Sequence, residues 1–305
     1  MLNRIYYLLK PLMARSFQIW LRRQVILRKR DRYSRVWPIE PAVGDPPKGW
    51  SGWLENKKFA LVLTHDVDTQ KGCDRCCQLA ELEEELGFRS SFNFVPERYT
   101  VMPELRAYLI ETGFEVGIHG LYHDGKLYSS RKMFQERAEK INGYLREWGA
   151  VGFRSPAMHH NLEWLHDLEI KYDASTFDTD PFEPYSDGAG TIFPFWVDGG
   201  ADHKGYVELP YTLPQDHTLF VIMKDKDIDI WKKKLDWIAK KGGMVLLNTH
   251  PDYMNFDGSS LSLEQYPVRF YREFLEYVRR KYEGLYWHSL PKEVARFVTK
   301  MQEKG

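Results

Sequence analysis

From residue 57 onward, short apolar runs alternate with longer stretches in which apolar residues recur every three or four positions. The short runs are typical of buried strands, and the periodic stretches are typical of amphipathic helices. Seven strands are predicted, at 59–64, 90–95, 114–118, 151–153, 170–175, 244–249 and 285–288. Six helices are predicted, at 73–86, 103–112, 131–148, 162–168, 228–241 and 266–282. Because this alternation is typical of βαβ units, we predict an α/β fold with a parallel sheet, either doubly wound or closed as a (β/α) barrel.

Residues 176–223 interrupt this alternation. The stretch is rich in proline, glycine and aromatic residues, which favour turns and irregular structure. Two further apolar runs, at 206–209 and 219–223, are interpreted as short strands. We therefore predict that 176–223 is an insertion or an irregular quarter of a barrel.

The first 36 residues form a segment that we call the basic arm. The arm holds ten basic residues and one acid, Asp31, so its formal charge is +9, while the rest of the neutral chain carries −9. Apolar residues are interleaved with the basic ones, but a bilayer-spanning helix needs about 20 consecutive apolar residues. Lys10, Arg15 and Arg22 interrupt the arm. A cleavable signal peptide is not predicted either, because its apolar region would be uninterrupted.

Two interpretations of the basic arm remain open. A basic amphipathic segment can lie in the headgroup layer of an anionic membrane, which predicts peripheral contact through residues 1–36 at the inner membrane face. The same segment can instead pack as a helix on the acidic remainder of its own chain. Residues 37–55 are rich in proline and glycine and are predicted to be a linker. The chain is thus divided into an arm with its linker, 1–55, and a catalytic domain, 56–305.

Composition narrows the class of protein. The chain has 43 basic and 43 acidic residues and is 43% hydrophobic, values of an ordinary soluble globular protein, and no nucleic-acid partner is predicted. Cys73, Cys76 and Cys77 lie in one stretch and form no paired framework. Clustered, odd-numbered thiols favour a reducing compartment, so a cytoplasmic location is expected.

Candidate chemistry follows the predicted strands. In parallel α/β folds the functional groups lie at the carboxyl ends of strands, where the loops converge. The first strand runs into His65, Asp66, Val67 and Asp68. Two carboxylates two residues apart offer one group to a metal ion and one as a base, although aspartates also serve in hydrogen-bonded turns.

Three further strands end in candidate residues. His119 and His123, four residues apart after the third strand, can face one cation, and imidazole with carboxylate is an ordinary zinc ligand set. Arg154 follows the fourth strand, where its guanidinium can orient a carboxylate or simply be a surface charge. His250 follows the sixth strand, as a proton donor or as a capped loop residue.

Taken in order, these motifs resemble the polysaccharide deacetylase (NodB-homology) superfamily of metal-dependent carbohydrate esterases. The resemblance covers residues 57–300 and rests on five ordered motifs: 64–68, 119–123, 154–156, 173–178 and 246–250. It implies a distorted seven-stranded (β/α) barrel, here with a basic N-terminal helical extension, and a hydrolase that removes an N-acyl group from a sugar or glycan precursor.

The resemblance also implies roles for individual residues. One divalent metal ion, expected to be Zn²⁺, is implied on Asp68, His119 and His123. Asp66 is expected to be the general base. Within the same set of implied roles, Arg154 orients that base, His250 protonates the leaving amine, and Asp178 or Asp173 supports His250.

One departure from the family pattern supports an alternative function. The family's commonest first motif has two adjacent aspartates, whereas Val67 separates Asp66 from Asp68 in this chain. The same variant occurs in subgroups that act on cyclic amides or formamides, so hydrolysis of a non-sugar amide or cyclic imide is the alternative. A non-catalytic glycan-binding or membrane-surface protein is the third possibility.

Overall fold

The centre of the fold is a curled, nearly all-parallel sheet of nine strands. The computed structural model describes residues 15–33, 36–183, 187–201 and 203–303. The strands of this sheet are β1 Phe59–Val67, β2 Ser91–Phe94, β3 Glu115–His119, β4 Gly152–Arg154, β5 Tyr172–Asp173, β6 Phe195–Val197, β7 Tyr206–Glu208, β8 Met244–Thr249 and β11 Tyr286–His288. Two short strands, β9 Met254–Asn255 and β10 Tyr266–Pro267, pair separately.

Strand β1 is the centre of the sheet. One side of β1 pairs with β8 over six residues, from Ala60 opposite Met244 to His65 opposite Thr249. Its other side pairs with β11 at its start and with β2 at its end. The sheet then continues through β3, β4, β5 and β7 to β6, which is antiparallel. Every residue of β1 is buried, which explains the continuous apolar run that predicted it.

The segment after β7 closes the sheet into a distorted barrel. The backbone N–H groups of Thr212 and Leu213 donate to the carbonyl oxygen of Leu246 in β8, at 3.0 and 3.2 Å. The N–H of Leu246 donates to Thr212 Oγ1 at 3.0 Å. All seven strands predicted from the sequence lie in this sheet, and the predicted α/β barrel architecture is confirmed.

Eight α-helices surround the barrel within the described residues. They are α1 Arg15–Tyr33, α2 Gln70–Cys73, α3 Cys76–Glu85, α4 Pro103–Glu111, α5 Arg131–Trp148, α6 Asp229–Lys241, α7 Arg269–Tyr282 and α8 Pro291–Gln302. Helix α5 shows why such segments fold locally. Ser130 Oγ accepts the N–H of Met133 at its start, and Gly149 ends it with a φ of 63°. Its buried side chains recur every three or four residues and face the sheet.

The structure corrects two sequence predictions. Residues 219–223, predicted as a strand, belong to the π-helix His217–Met223. The whole segment from Thr218 to Met223 is buried, so its apolar run carries no period that separates helix from strand. Helix α8 was not predicted, although Pro291 in its first turn and Glu293, whose side chain accepts the N–H of Leu290, mark its start.

The predicted linker packs against the barrel. Trp37, Val43 and Trp53 are buried. Trp53 Nε1 donates to the carbonyl oxygen of Gly242 at 2.7 Å, and the carbonyl oxygen of Val43 accepts the N–H of Ile192 at 3.3 Å. Proline and glycine here shape a folded connection whose apolar side chains complete the core.

Helix α1, the described part of the basic arm, packs on the π-helix. Ile19 and Ile26 are buried against the body of the protein. Arg23 donates from Nε to the carbonyl oxygen of Ile222 at 2.9 Å and from Nη2 to that of Val221 at 3.1 Å. Of the two interpretations of the arm, self-packing therefore holds for this helix. No described helix is both long and apolar enough to cross a membrane. Residues 1–14 lie outside the described residues.

Candidate active site

The two aspartates of the first motif share one side of β1. The strand extends through Val67, three residues beyond its predicted end, so Asp66 lies within it. Side chains alternate along a strand, which places those of Asp66 and Asp68 on the same side. His65 points the other way, where its Nε2 lies 2.8 Å from Glu83 Oε1 and its Nδ1 lies 2.7 Å from Thr249 Oγ1. The alternation thus separates a structural histidine from two candidate functional carboxylates.

Asp68, His119 and His123 form a cluster that can hold a metal ion. One ligand atom from each residue lies within 4.8 Å of the others. Asp68 Oδ1 is 3.4 Å from His119 Nε2 and 3.1 Å from His123 Nε2. Ligand atoms about 2.0–2.1 Å from a tetrahedral zinc ion are about 3.3 Å apart, so these spacings fit.

The polar atoms of the cluster also fit a cation. Asp68 Oδ1 is buried and accepts no hydrogen bond within the described residues. Burial by itself raises the pKa of Asp68. The neighbouring side chains of His123 and His119 lower this pKa by a larger amount, so it lies well below its ordinary value. An ionised, buried oxygen between two imidazoles lacks the partner that a divalent ion would provide.

Neighbouring groups hold the proposed ligands in place. His119 Nδ1 lies 3.1 Å from the carbonyl oxygen of Arg154, a contact that makes Nδ1 the donor and leaves Nε2 free for a metal. The N–H of Asp68 donates to Asp252 Oδ2 at 2.9 Å. Gly120 has a φ of 64°, and a Cβ there would lie 2.6 Å from the Pro156 ring. Glycine at this position therefore permits the turn that leads to His123.

Asp66 is held by two amide groups. Asn93 Nδ2 donates to its Oδ1 at 3.1 Å, and Asn248 Nδ2 donates to its Oδ2 at 2.8 Å. Arg154 Nε lies 3.7 Å from Oδ1. Burial by itself raises the pKa of Asp66. His119, Arg154 and the other neighbouring groups together lower this pKa by a larger amount, so it falls below its ordinary value. Asp66 is therefore a fixed carboxylate beside the metal cluster, able to accept a proton.

Arg154 interacts with the Asp66 carboxylate as an ion pair. Its side chain is fully buried, and within the described residues none of its three nitrogens has a hydrogen-bond partner. Through this ion pair, Arg154 places a guanidinium charge next to the Asp66 carboxylate.

His250 faces the site with an acid behind it. Its Nδ1 lies 2.7 Å from Asp216 Oδ1, and its backbone N–H donates to Asp216 Oδ2 at 2.8 Å. Tyr266 also donates to Asp216 Oδ2, at 2.9 Å. Burial lowers the pKa of His250, but Asp216, with smaller effects of Asp68 and Asp66, raises it to about 10. The imidazole is thus kept protonated at neutral pH and can donate a proton.

The acid behind His250 differs from the sequence prediction. Asp178 pairs instead with Lys234, with Oδ2 2.5 Å from Nζ in a fully buried contact. Asp173 accepts hydrogen bonds from the N–H and hydroxyl of Ser175. Neither acid contacts His250, so the prediction that Asp178 or Asp173 supports His250 is wrong. Asp178 is a structural residue that ties the 176–223 region to α6.

The structure thus brings six of the seven predicted site residues to one end of the barrel. They are Asp66, Asp68, His119, His123, Arg154 and His250. Asn93, Asn248 and Asp216 were not predicted from the sequence. One signal was available for the amides, because Asn93 and Asn248 each interrupt a largely apolar strand one residue before its end. Asp216 lies in the irregular stretch and gave no comparable signal.

The thiols near the site are not part of the metal-ligand cluster. Burial raises the pKa of Cys73 to about 11 and also raises that of Cys76 well above its ordinary value. Within the described part of the chain, Asp68, His119 and His123 form the one three-residue cluster with metal-ligand spacing.

Alanine at Gly117 is expected to reduce activity without releasing metal. A Cβ there would lie 2.2 Å from Asn93 Oδ1, so the amide that holds Asp66 must move. Displacing a positioned group by about 1 Å can cost roughly 10²-fold in rate. The measurement is kcat together with metal content for Gly117→Ala. Gly143→Ala in α5 is the control, because a Cβ at Gly143 meets no atom within 4 Å. Unchanged kcat in Gly117→Ala would argue against the amide's positioning role.

Comparison with known structures identifies the fold. A protein described as a polysaccharide deacetylase from Mycobacterium smegmatis matches with a TM-score of 0.64 and 19% identity, over 84% of this chain and 96% of that chain. The allantoinase PuuE matches with a TM-score of 0.61 and 14% identity, over 85% and 96% of the two chains. A protein described as a polysaccharide deacetylase from Pseudomonas aeruginosa PAO1 matches with a TM-score of 0.61 and 14% identity, over 81% and 93%.

Comparisons of sequence add nothing to this result. No protein-family model matches the sequence, and no curated protein matches it. The likeness to solved structures therefore establishes the fold, which is the NodB-type (β/α) barrel of the polysaccharide deacetylases. The fold resemblance inferred from the five sequence motifs is confirmed.

Proposed function

We propose that this protein is a zinc-dependent hydrolase that removes an N-acyl group from a sugar or glycan precursor. The observation that carries the proposal is the arrangement of the site. A three-residue cluster with metal-ligand spacing lies close to a fixed carboxylate, Asp66, and to a protonated imidazole, His250. Hydrolysis of an amide needs a group that removes a proton from water and another that delivers a proton to nitrogen. The site supplies both.

The proposed ligand set suits zinc. Two imidazoles and one carboxylate would hold a divalent ion that keeps a net positive charge and leaves room for water and substrate. When bound, the ion supplies Lewis-acid activation of water and polarises the amide carbonyl. His119 is oriented for this role by the carbonyl oxygen of Arg154.

The protein's own groups account for the proton movements. Asp66 accepts a proton from the attacking water, and the two asparagines hold its oxygens in position as it does so. The C–O bond forms and the C–N bond breaks as His250 delivers its proton from Nε2 to the departing nitrogen. Asp216 stabilises the imidazolium before that transfer and fixes its ring orientation through Nδ1. The products are a carboxylic acid and a free amine.

A screen of substrates with metal analysis tests this proposal. Purified protein is expected to contain about one zinc ion per chain and to release acetate from at least one N-acetylated sugar or lipid-linked glycan precursor. Chelation is expected to abolish that release, and added zinc to restore it. Acetate release that survives exhaustive chelation would contradict the proposed mechanism.

Hydrolysis of a cyclic amide is the second candidate. The fold matches an allantoinase with the same TM-score as one of the deacetylases, 0.61. Val67 between the two aspartates also departs from the commonest deacetylase motif. Including allantoin and related cyclic amides in the screen separates the two functions, because ring opening releases no acetate. Turnover of none of these amides would favour a non-catalytic binding protein.

Asparagine at Asp216 is expected to shift the pH profile. Asp216 raises the pKa of His250, and its removal lowers that pKa by roughly 1–3 units, the usual effect of an opposite charge. Because the acid acts in its protonated form, the alkaline limb of kcat should move to lower pH in Asp216→Asn. The comparison variant is Asp178→Asn, which removes a buried acid paired with Lys234 and should leave the limb in place. If the alkaline limb moved in Asp178→Asn and stayed in place in Asp216→Asn, Asp178 would be the residue that supports His250.

A further inference from the structure

Helix α1 has an unusual distribution of polar and apolar side chains. Three of its basic residues bond to the body of the protein: Arg23 to backbone carbonyls, Lys29 to the carbonyl oxygen of Pro181, and Arg30 to Asp225 at 2.6 Å. Large apolar side chains point away from the body. Phe17 is 47% exposed and Trp20 is 52% exposed. Surface helices ordinarily turn their charged face to solvent and their apolar face to the core.

The exposed apolar side chains of Phe17, Trp20 and Leu27 form a stripe along one face of α1. Positions 17, 20, 24 and 27 recur at intervals of three and four, so they share this face, and the polar side chain of Gln24 lies between Trp20 and Leu27. The rings of Phe17 and Trp20 stack, with centroids 5.6 Å apart and an interplanar angle of 20°. Leu27 lies two turns after Trp20 on the same face, and the exposed Val25 lies outside the stripe. Nothing in the described residues covers this face.

Two arginines accompany the stripe. Arg28 and Arg32 are exposed, and helix periodicity places them beside Phe17 on the outer half of α1. Asp31, the one acid between Arg15 and Tyr33, is exposed four residues after Leu27 and so lies on the same line as the stripe. The outer surface of α1 therefore carries Phe17, Trp20 and Leu27 beside two arginines and one acid.

We propose that the outer face of α1 binds the surface of an anionic lipid bilayer. Phe17, Trp20 and Leu27 would enter the boundary between headgroups and acyl chains, while Arg28 and Arg32 contact lipid phosphates. Charge favours this occupant over a second copy of the chain. The outer face carries two arginines against one acid, and a two-fold contact would bring two faces of net positive charge together. The surface goes beyond the proposed hydrolase function and does not depend on it.

Vesicle sedimentation tests the proposal with the full-length chain. Wild type is expected to bind vesicles of phosphatidylglycerol and phosphatidylcholine and to bind pure phosphatidylcholine vesicles much more weakly. The variant Phe17→Gln/Trp20→Gln should lose at least about tenfold in partitioning, since two aromatic anchors are removed. Arg28→Gln and Arg32→Gln should each weaken binding to anionic vesicles by about fivefold and leave binding to zwitterionic vesicles unchanged.

A matched control uses equally exposed apolar side chains elsewhere. Met102 and Ile110 are both 52% exposed, before and within α4. Met102→Gln/Ile110→Gln should bind anionic vesicles as wild type does. Circular dichroism and turnover of a small soluble substrate should be the same for wild type and both double variants. Turnover therefore tests the proposed hydrolase function, and vesicle binding separately tests the proposed membrane surface.

Two outcomes would overturn the proposal. The first is equal vesicle binding by wild type and Phe17→Gln/Trp20→Gln. The second is a concentration-dependent dimer in analytical ultracentrifugation that disappears in that variant while vesicle binding is absent, since the stripe would then be a self-association surface.

Discussion

Alanine at position 68 is expected to abolish bound zinc and amide hydrolysis together. Asp68 supplies the carboxylate of the three-residue cluster, and its Oδ1 lies within 3.4 Å of the Nε2 atoms of His119 and His123. Without it, two neutral imidazoles hold a divalent ion weakly. Loss of Lewis-acid activation should lower kcat/KM by at least about 10³-fold. Metal analysis after dialysis, together with acetate release, measures both effects.

Two companion variants sharpen this experiment. His119→Ala removes a second proposed ligand and should reproduce the loss of zinc. Asp257→Ala removes an exposed acid whose Oδ1 accepts the N–H of Ser259 at 3.0 Å, away from the cluster, and should keep both zinc and activity. Full zinc occupancy in Asp68→Ala would refute the ligand assignment.

Asparagine at position 66 is expected to remove activity while zinc stays bound. The substitution keeps the size of the side chain, but an amide cannot take a proton from water. It also brings an amide N–H against the Nδ2 donor of Asn93 or Asn248, depending on its orientation. Loss of a general base should lower kcat by about 10²–10⁴-fold. Steady-state kinetics and metal analysis on the same sample separate this effect from loss of metal.

The contrast between the two aspartates is the informative result. Asp66→Asn should retain the zinc content of wild type, whereas Asp68→Ala should not. Turnover that disappears in Asp66→Asn would also exclude the non-catalytic alternative, because contamination by another hydrolase would be unaffected. If kcat were unchanged, a different group would have to accept the proton.

The sequence predicted the barrel and most of the candidate site because both follow from local patterns. A strand that is buried on both faces of a parallel sheet has a continuous apolar sequence. Strands β1 and β8 are buried along their whole length. The loops after such strands meet at one edge of the sheet. Asp68, His119 and His250 could therefore be grouped from sequence, although they are far apart along the chain.

The partner of His250 could not be predicted, because it depends on a contact without a local pattern. Asp216 lies 34 residues before His250 and precedes an apolar run that was interpreted as a strand. That run forms a π-helix, and the geometry of its first residues brings Asp216 to the histidine. Asp178 offered an equally acidic side chain in the same stretch, and only packing shows that it faces Lys234.

The basic arm shows a different limit. Its charge and apolar content were evident from the sequence. Both membrane contact and packing on the body of the protein were compatible with them. The structure shows that Ile19, Arg23 and Ile26 contact the body, and it also leaves Phe17 and Trp20 exposed. The two interpretations therefore apply to opposite faces of one helix.

The packing of α1 on the π-helix affects how the proposed hydrolase would reach its substrate. Asp216 precedes that π-helix, and His217 at its first residue lies against Tyr253, with ring centroids 4.9 Å apart. One helical layer therefore separates the proposed bilayer contact from the wall of the candidate site. For a substrate embedded in lipid, encounters would occur by lateral diffusion. The rate would then follow the mole fraction of substrate in the membrane, and diluting the substrate with inert lipid would slow turnover at constant bulk concentration.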